Sequence, residues 1–368
     1  MRETLRDRKP PDSPGFFCTK EDGVIIGVVR TRAKVLALIA VFALRCAAAW
    51  SVPAPLSYRS PYMKVVLAKV RPAFLMLAVD SLGNGRLSAN LVRPPAAPSQ
   101  AFEVRRYGQA IEYRPAGAPR TAPPAWTFQF SQRELRIRSS YSPHYPAKPL
   151  VAVFNPWVSH ATLLGLENRD GTIRLPAILH FPDQGTFRIT LSQGKGISLG
   201  YDAQRFSGHS DRDYVRVTFP AASKTMPAVE YTLDVVDIYP GGAKLAGDPR
   251  FEGFRRNFLN IFQLNPRRRV LANNAASDPC AFTVYQYATV ALRTPPLAKG
   301  LTALDLIRQT LNRYLAGMKA YGMAGYSGTP SGPQYFLDTY PSLIMAASDY
   351  VSGTGDTRWL DRNYQGLK

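Results

Sequence analysis

The residues with the clearest ligand-binding chemistry lie in two short polar stretches of the second half of the chain. In the stretch QYFLDTYPS, Asp338 and Tyr340 follow a glycine-rich loop and precede an apolar helical pattern. A carboxylate there can accept hydrogen bonds from hydroxyl groups, and a tyrosine ring offers a face on which a flat ligand can stack. In the alternative interpretation, Asp338 only organises the turn before the helix.

Asp278, in the stretch NNAASDPCAF, is the second candidate. An aspartate directly before a proline at the first helical position is typical of a helix cap, so capping is one interpretation. Ligand binding is the other, because Asn273 and Asn274 add polar groups to the same segment.

Cysteines and histidines do not have the spacing of a metal site. The chain contains three cysteines and four histidines scattered from Cys18 to Cys280, whereas zinc ligands usually come in closely spaced pairs. We therefore expect no metal and no cofactor, and we interpret the histidines as ordinary strand or loop residues.

Composition indicates a globular chain with a strong basic excess. Its 368 residues are 45% hydrophobic, which suggests two or three domains, and 46 Lys and Arg against 26 Asp and Glu leave a net charge of +20. The basic residues are dispersed, and the longest run is Arg267 to Arg269. No nucleic-acid-binding motif accompanies the charge, so we expect no nucleic-acid partner. A basic surface that binds another polyanion stays open as an alternative.

The segment RTRAKVLALIAVFALRCAAAW has the layout of a secretory signal peptide. Basic residues precede an apolar run from Val35 to Leu44, and small residues follow it up to Ala49. We therefore expect residues 1–49 to be a leader and the rest to be exported to the periplasm or the extracellular space. The run is shorter than the roughly 20 residues of a membrane-spanning helix, so no membrane span is expected after cleavage. Cys46 also allows a lipoprotein interpretation, for which Arg45 is a poor fit.

Two regions of the chain differ in hydrophobic period. Between Trp126 and Tyr239 apolar residues alternate with polar ones, with turn signals such as Asp170-Gly171 between the runs. The pattern predicts an antiparallel β-sandwich, or a large folded sheet, within residues 50–240. Irregular strands and linkers are expected from Trp50 to Pro124, which is rich in proline, alanine and arginine.

After residue 240 the period changes to that of helices. Asp248 followed by Pro249 predicts one helix start, Thr302 with Asp305 a capping box at another, and Asp356 a third. The last predicted helix, TRWLDRNYQGL, places Trp359, Leu360, Tyr364 and Leu367 on one apolar face. Such a series predicts helical hairpins that assemble into a solenoid, bundle or toroid over residues 241–368.

Several stretches carry a family likeness: FRRNFLNIFQLNP, NNAASDPCAFTVYQY and, most specifically, LDTYPSLIMAASDYVSGTGDTRWLDRNYQGLK. Together with the preceding β region, they resemble the six-hairpin glycosidases, whose catalytic domain is an (α/α)6 barrel. The resemblance covers residues 240–368. It implies a multidomain β + α protein in which a β-sandwich is followed by the first hairpins of an incomplete toroid. Such a barrel has twelve helices and about five are predicted here, so the resemblance also implies an N-terminal fragment ending inside the barrel.

The resemblance implies hydrolysis of glycosidic bonds in an oligo- or polysaccharide by an inverting mechanism, which needs one carboxylic acid and one carboxylate. In the family both commonly lie on loops later in the barrel, and no glutamate follows Glu252. Catalytic residues are therefore unassigned, and this fragment is expected to be inactive. Asp338, Asp278 and Tyr340 become candidates for binding a carbohydrate substrate. The alternative is a non-catalytic carbohydrate-binding or interaction module.

Overall fold

A computed structural model describes residues 56–93, 101–155, 161–205, 213–239, 247–262, 264, 269–271, 281–322 and 339–368. All of them belong to one compact unit, Ala54–Lys368. The predicted leader over residues 1–49 lies outside the described residues, as do Asp278 and Asp338.

Antiparallel strands make up the first part of this unit. The described residues contain fifteen strands: β1 (Leu56–Arg59), β2 (Met63–Leu67), β3 (Phe74–Val79), β4 (Phe102–Tyr107), β5 (Ala110–Pro115), β6 (Trp126–Phe130), β7 (Glu134–Ser140), β8 (Leu150–Phe154), β9 (Thr162–Leu164), β10 (Ile173–Arg174), β11 (Ala177–Phe181), β12 (Gly185–Gln193), β13 (Ser198–Arg205), β14 (Asp213–Phe219) and β15 (Ala228–Val235).

These strands form three sheets. The largest has eight strands in the order β4-β5-β6-β7-β15-β12-β11-β9, the second has the order β10-β13-β14-β8, and the third has the order β1-β2-β3. The segment after β3 joins the two smaller sheets, because Leu91 N donates to Leu77 O at 2.9 Å and Arg93 N donates to Val153 O at 2.8 Å. The two smaller sheets thus continue into one another.

Aromatic contacts show how the smaller sheets pack on the large one. Phe154 of β8 meets Phe181 of β11 with ring centroids 5.2 Å apart, and Phe219 of β14 meets Tyr231 of β15 at 5.3 Å. Phe74 of β3 likewise meets the ring of a β6 phenylalanine edge-on. Alternation buries every second residue of β15, from Val229 to Val235, as expected for strands with one face on a core. The prediction of an antiparallel β region before residue 240 is confirmed.

The region predicted to consist of irregular strands and linkers contains five regular strands, β1 to β5. Its apolar runs KVVLAKV and AFLMLAV coincide with β2 and β3, where Met63, Val65 and Leu67 are fully buried. Prolines and arginines between these short runs obscured the strand period. Burial against the large sheet, which the sequence pattern does not display, fixes their structure.

Helices follow the sheets. They are α1 (Pro249–Asn257), continued by a 3-10 turn (Phe258–Phe262), then α2 (Ala281–Ala291), α3 (Ala303–Tyr321), α4 (Thr339–Thr354) and α5 (Thr357–Leu367). The predicted caps of α1, α3 and α5 are confirmed. Asp248 accepts from Arg250 N at 3.0 Å, Thr302 and Asp305 form a reciprocal capping box, and Asp356 accepts from Trp359 N at 3.0 Å.

Alternate helices run in the same direction. Thr289 Oγ1 of α2 donates to Asp349 Oδ2 of α4 at 3.0 Å, and Leu292, just after α2, packs against Gly353 near the end of α4. Later residues of α2 therefore meet later residues of α4, so the two helices are parallel neighbours.

The same relationship holds for α3 and α5. Arg308 Nη1 lies 3.9 Å from Asp356 Oδ2 at the start of α5, and Asn312, one turn later, contacts Trp359. Successive turns of α3 thus meet successive turns of α5. Among the described residues, the helices of this part form two parallel pairs, α2 with α4 and α3 with α5.

Helix α1 links the helices to the sheets through a buried carboxylate. Asp80, which is fully buried, accepts from Leu82 N and Gly83 N through Oδ1 and from Arg86 N through Oδ2. Arg256 of α1 places Nη2 3.6 Å from Asp80 Oδ1. The neighbouring Arg255 pairs with Asp237, after β15.

None of the described helices combines the length and the apolarity that a bilayer-crossing helix requires.

Candidate functional site

Helices α3 and α5 and the first turn of α4 surround a cleft of about 1010 Å³. Its lining combines amide side chains, cations, one tyrosine and aliphatic residues. They are Asn312, Leu315, Ala316, Met318, Lys319, Gly322, Tyr340, Arg362, Asn363, Gln365, Gly366 and Lys368.

One buried tryptophan holds two of the amide side chains that line this cleft. Trp359 is 2% exposed, and its Nε1 donates to Asn312 Oδ1 at 2.7 Å, which holds α5 against α3. Asn363 Nδ2 donates to the carbonyl of Trp359 at 2.8 Å. Because both amide side chains are held by the same residue, the cleft has a fixed polar wall.

The cap of α5 sets the position of that tryptophan. Asp356 Oδ2 accepts from the Tyr350 hydroxyl at 2.8 Å, while Oδ1 accepts from Trp359 N. The Tyr350 hydrogen bond, supported by the Trp359 amide and Arg308, lowers the pKa of the Asp356 carboxyl. The ionised carboxylate is thereby favoured where the helix N-terminus also stabilises negative charge.

Tyr340 is the predicted ligand-binding residue that the structure describes, and it lines this cleft. Its hydroxyl donates to Leu367 O at 2.7 Å, which joins the start of α4 to the end of α5. The hydroxyl is thus engaged in a structural bond, and the ring is the part of Tyr340 that can serve a ligand. Asp278 and Asp338 lie outside the described residues, so their relation to Tyr340 stays a prediction.

The cleft offers donors for hydroxyl and anionic groups. Its charged side chains are all basic, with Lys319 and Arg362 on facing helices. Arg362 Nε donates to Arg358 O at 3.1 Å, which orients the guanidinium group. Gln365 adds an amide that both donates and accepts.

A smaller pocket of about 470 Å³ extends the cleft along the groove between α3 and α5. It shares Asn312, Arg362 and Asn363 with the larger cleft and adds Arg308. Arg308 is paired with Asp305 at 3.3 Å. Because the two pockets share lining residues, the smaller one adds to the space that a ligand in the cleft can occupy.

No protein-family model matches the chain, and no curated protein matches it. Among solved structures, a GH92-family glycosyl hydrolase, CcMan5, is similar with a TM-score of 0.24 and 11% identity. The alignment covers 84% of this chain and 60% of that structure, so the chain spans about 60% of its length. At that TM-score the similarity carries no argument for fold or function.

Most residues of the cleft were not predicted from the sequence. Asn312 and Lys319 lie on α3, far in sequence from the motif that indicated a site at Tyr340. Asn363 stands in the stretch WLDRNYQGL, whose apolar face was predicted to include Tyr364. Trp359 is buried as that face requires, whereas Tyr364 is 54% exposed.

One histidine belongs to the core. His180 of β11 is fully buried, with both ring nitrogens within hydrogen-bond distance of protein oxygens. This agrees with its interpretation as an ordinary strand residue. Within the described ranges, no three His, Cys, Asp or Glu side chains come together as a metal site.

Proposed function

We propose that this is an exported carbohydrate-active protein that binds an oligosaccharide in the cleft between α3 and α5. The observation that carries the proposal is that the Tyr340 ring lies in one cleft with the amides of Asn312, Asn363 and Gln365. Planar amides pair with the vicinal hydroxyls of a sugar, and an aromatic ring packs against the C–H face of a pyranose. The adjoining smaller pocket leaves room for more than one sugar unit.

The finer proposal is a glycoside hydrolase of the six-hairpin type, with an inverting mechanism. The parallel pairs α2 with α4 and α3 with α5 support it, because in a toroid of helical hairpins every second helix runs the same way. Asp278 and Asp338 shortly precede α2 and α4 in the sequence. We propose both aspartates as substrate contacts, and general acid and base stay unassigned.

The decisive experiment compares ring and amide variants of the cleft with matched surface variants. Tyr340→Ala and Gln365→Ala remove cleft groups, whereas Tyr364→Ala and Gln109→Ala remove exposed side chains that do not line it. A glycan array identifies a ligand, and titration calorimetry then measures its affinity. We expect Tyr340→Ala to weaken binding roughly fivefold or more, with the two controls unchanged.

Tyr340→Phe separates stacking from the structural hydrogen bond to Leu367. Because the ring remains, Tyr340→Phe should retain most of the affinity and lose only stability.

A protein that binds no glycan, or one whose Tyr340→Ala variant binds as tightly as the parent, would overturn the proposal. Turnover of an aryl glycoside would identify an active hydrolase and contradict the expected inactivity, whereas binding without turnover fits both the inactive hydrolase-like protein and the alternative, a binding module. For export, mass spectrometry of the secreted protein should find an N-terminus near residue 50.

A further inference from the structure

The strongest unassigned feature is a second cleft, on the β part of the molecule. It has a volume of about 710 Å³ and lies between β10, β12, β13 and the turn that contains Lys299. All charged side chains that line it are basic, namely Arg174, Arg188 and Lys299. Three cations without a lining carboxylate repel one another, which favours an anionic ligand between them.

Arg174 is held in place by a polar cluster. Its Nε donates to Asn168 Oδ1 at 2.6 Å, and Asn168 Nδ2 lies within 3.0 Å of Thr172 Oγ1 and 2.7 Å of Ser198 Oγ. The cluster uses one edge of the guanidinium group and leaves the Nη groups for a ligand. A fixed guanidinium group loses little conformational entropy on binding an anion.

Lys299 is presented by a tight turn. Leu301 N donates to Ala298 O at 3.0 Å and Ala298 N donates to Leu301 O at 3.2 Å. Gly300 has a φ of 82°, a conformation that side-chain-bearing residues rarely adopt. The turn therefore fixes the backbone at Lys299, whose side chain lines the cleft.

Arg188 is partly engaged already. Its Nε donates to Leu297 O at 3.1 Å, and its Nη1 lies 3.9 Å from Asp234 Oδ2. This arginine ties the turn to β12 and contributes a partly compensated charge. Arg174 and Lys299 are therefore the cations expected to bind the ligand.

The geometry points to a binding site for an acidic oligosaccharide, one whose sugars carry carboxylate or sulfate groups. Arg174 and Lys299 would contact the anionic groups, and the hydroxyls of Thr190 and Ser198 would contact sugar hydroxyls. Apolar lining from Pro176 and Ile197 suits the C–H faces of the rings. The saccharide class rests on the proposed function, and the preference for negative charge rests on this cleft alone.

Titration calorimetry on the full chain tests the inference with four probes of similar length. They are an oligogalacturonate, a heparin-derived oligosaccharide, a neutral cello-oligosaccharide and a single-stranded oligonucleotide. We expect one of the acidic saccharides to bind at least tenfold more tightly than the neutral one, with affinity that falls as salt rises. The oligogalacturonate carries carboxylates alone and the heparin-derived probe carries carboxylates and sulfates, so binding of the second without the first would indicate sulfate recognition.

Substitutions of the lining cations test whether the acidic saccharide binds in this cleft. Arg174→Gln and Lys299→Gln should each weaken acidic-saccharide binding about tenfold, and Lys299→Glu should weaken it further. Arg120→Gln and Lys69→Gln remove exposed cations elsewhere and should leave it unchanged. Circular dichroism of each variant confirms that the fold is retained.

Three outcomes would overturn the inference. They are acidic probes that do not bind, affinity that is unchanged in both cleft variants, and an oligonucleotide that binds this cleft more tightly than either acidic saccharide. Failure of the proposed function has a different signature. Binding of a neutral glycan would then be insensitive to Tyr340→Ala, whatever Arg174→Gln does to the acidic probes.

Discussion

His180 Nε2 lies 2.7 Å from Asn260 Oδ1, and this contact joins β11 of the large sheet to the 3-10 turn after α1. On the other side of the ring, Nδ1 lies 3.0 Å from Thr186 Oγ1. An amide oxygen only accepts, so the Nε2 nitrogen carries the proton and the hydroxyl of Thr186 donates to Nδ1. The neutral imidazole is thus satisfied on both sides, inside the core.

Burial lowers the pKa of His180 from 6.5 to about 4. The unfolded chain therefore binds a proton near pH 6.5 that the folded chain does not bind until about pH 4. Stability should fall as the pH is lowered through this window, by roughly 3 kcal/mol in total. Denaturant unfolding at several pH values should show that the parent loses stability more steeply with falling pH than His180→Gln does.

His144 supplies the control for this measurement, because it is exposed. His144→Gln should keep the pH profile of the parent, while carboxylates contribute equally in all three proteins. If the free energy of unfolding changed with pH by the same slope in the parent and in His180→Gln between pH 6.5 and 4, the lowered pKa of His180 would be contradicted.

Asn312 is the acceptor for the buried indole of Trp359. Asn312→Ala leaves that N–H without a partner, so we expect a loss of about 1–3 kcal/mol in the free energy of unfolding. Asn363→Ala, which removes a bond within a single helix, should cost less than about 1 kcal/mol. Urea unfolding followed by tryptophan fluorescence measures both. Equal stability of the parent and Asn312→Ala would show that the hydrogen bond does not hold α5.

Thr302 caps α3 through its hydroxyl, which accepts from Asp305 N at 3.2 Å. Thr302→Ala should cost about 1 kcal/mol of stability, whereas Thr302→Ser keeps the oxygen and should cost only a few tenths. Thermal unfolding by circular dichroism distinguishes the two. If serine were as destabilising as alanine, the cause would lie in the lost methyl group and not in the cap.

Asp80 offers a test of the link between α1 and the sheets. Asp80→Ala removes the acceptor of three backbone N–H groups and the ionic partner of Arg256. We expect a loss of about 3–5 kcal/mol in the free energy of unfolding. Arg256→Gln leaves the backbone hydrogen bonds intact and should cost clearly less. Similar losses in the two variants would assign the stability to the ion pair alone.

Local signals in the sequence predicted the helix starts well. Caps at Asp248, Thr302 and Asp356 depend on residues within one turn of each other, so a short window contains the whole interaction. The alternation of apolar and polar residues in strands such as β15 was predictable for the same reason, because one buried face imposes it.

Contacts between distant segments were not readable. Phe254 and Phe262 have the sequence spacing of one helical face. Phe262 is buried but Phe254 is 56% exposed, because α1 ends at Asn257 and a 3-10 turn changes the direction of the following residues. Packing between helices, sheets and turns determines the pairing of Asn312 with Trp359. It also determines the clefts that contain Tyr340 and Lys299. Such geometry has no period and no motif in a single sequence.

The position of β15 in the large sheet has a consequence for how the chain folds. β15 pairs with β7 on one side and with β12 on the other, although β15 follows β7 in the sequence by many tens of residues. The meander β4–β7 and the hairpin β11–β12 can form early from local contacts, but each leaves an unpaired edge. Until residues up to Val235 have been synthesised, the edge of β7 and the edge of β12 lack a partner strand. We therefore expect the insertion of β15 between them to be the slow, cooperative step that joins two aggregation-prone groups of strands into one sheet.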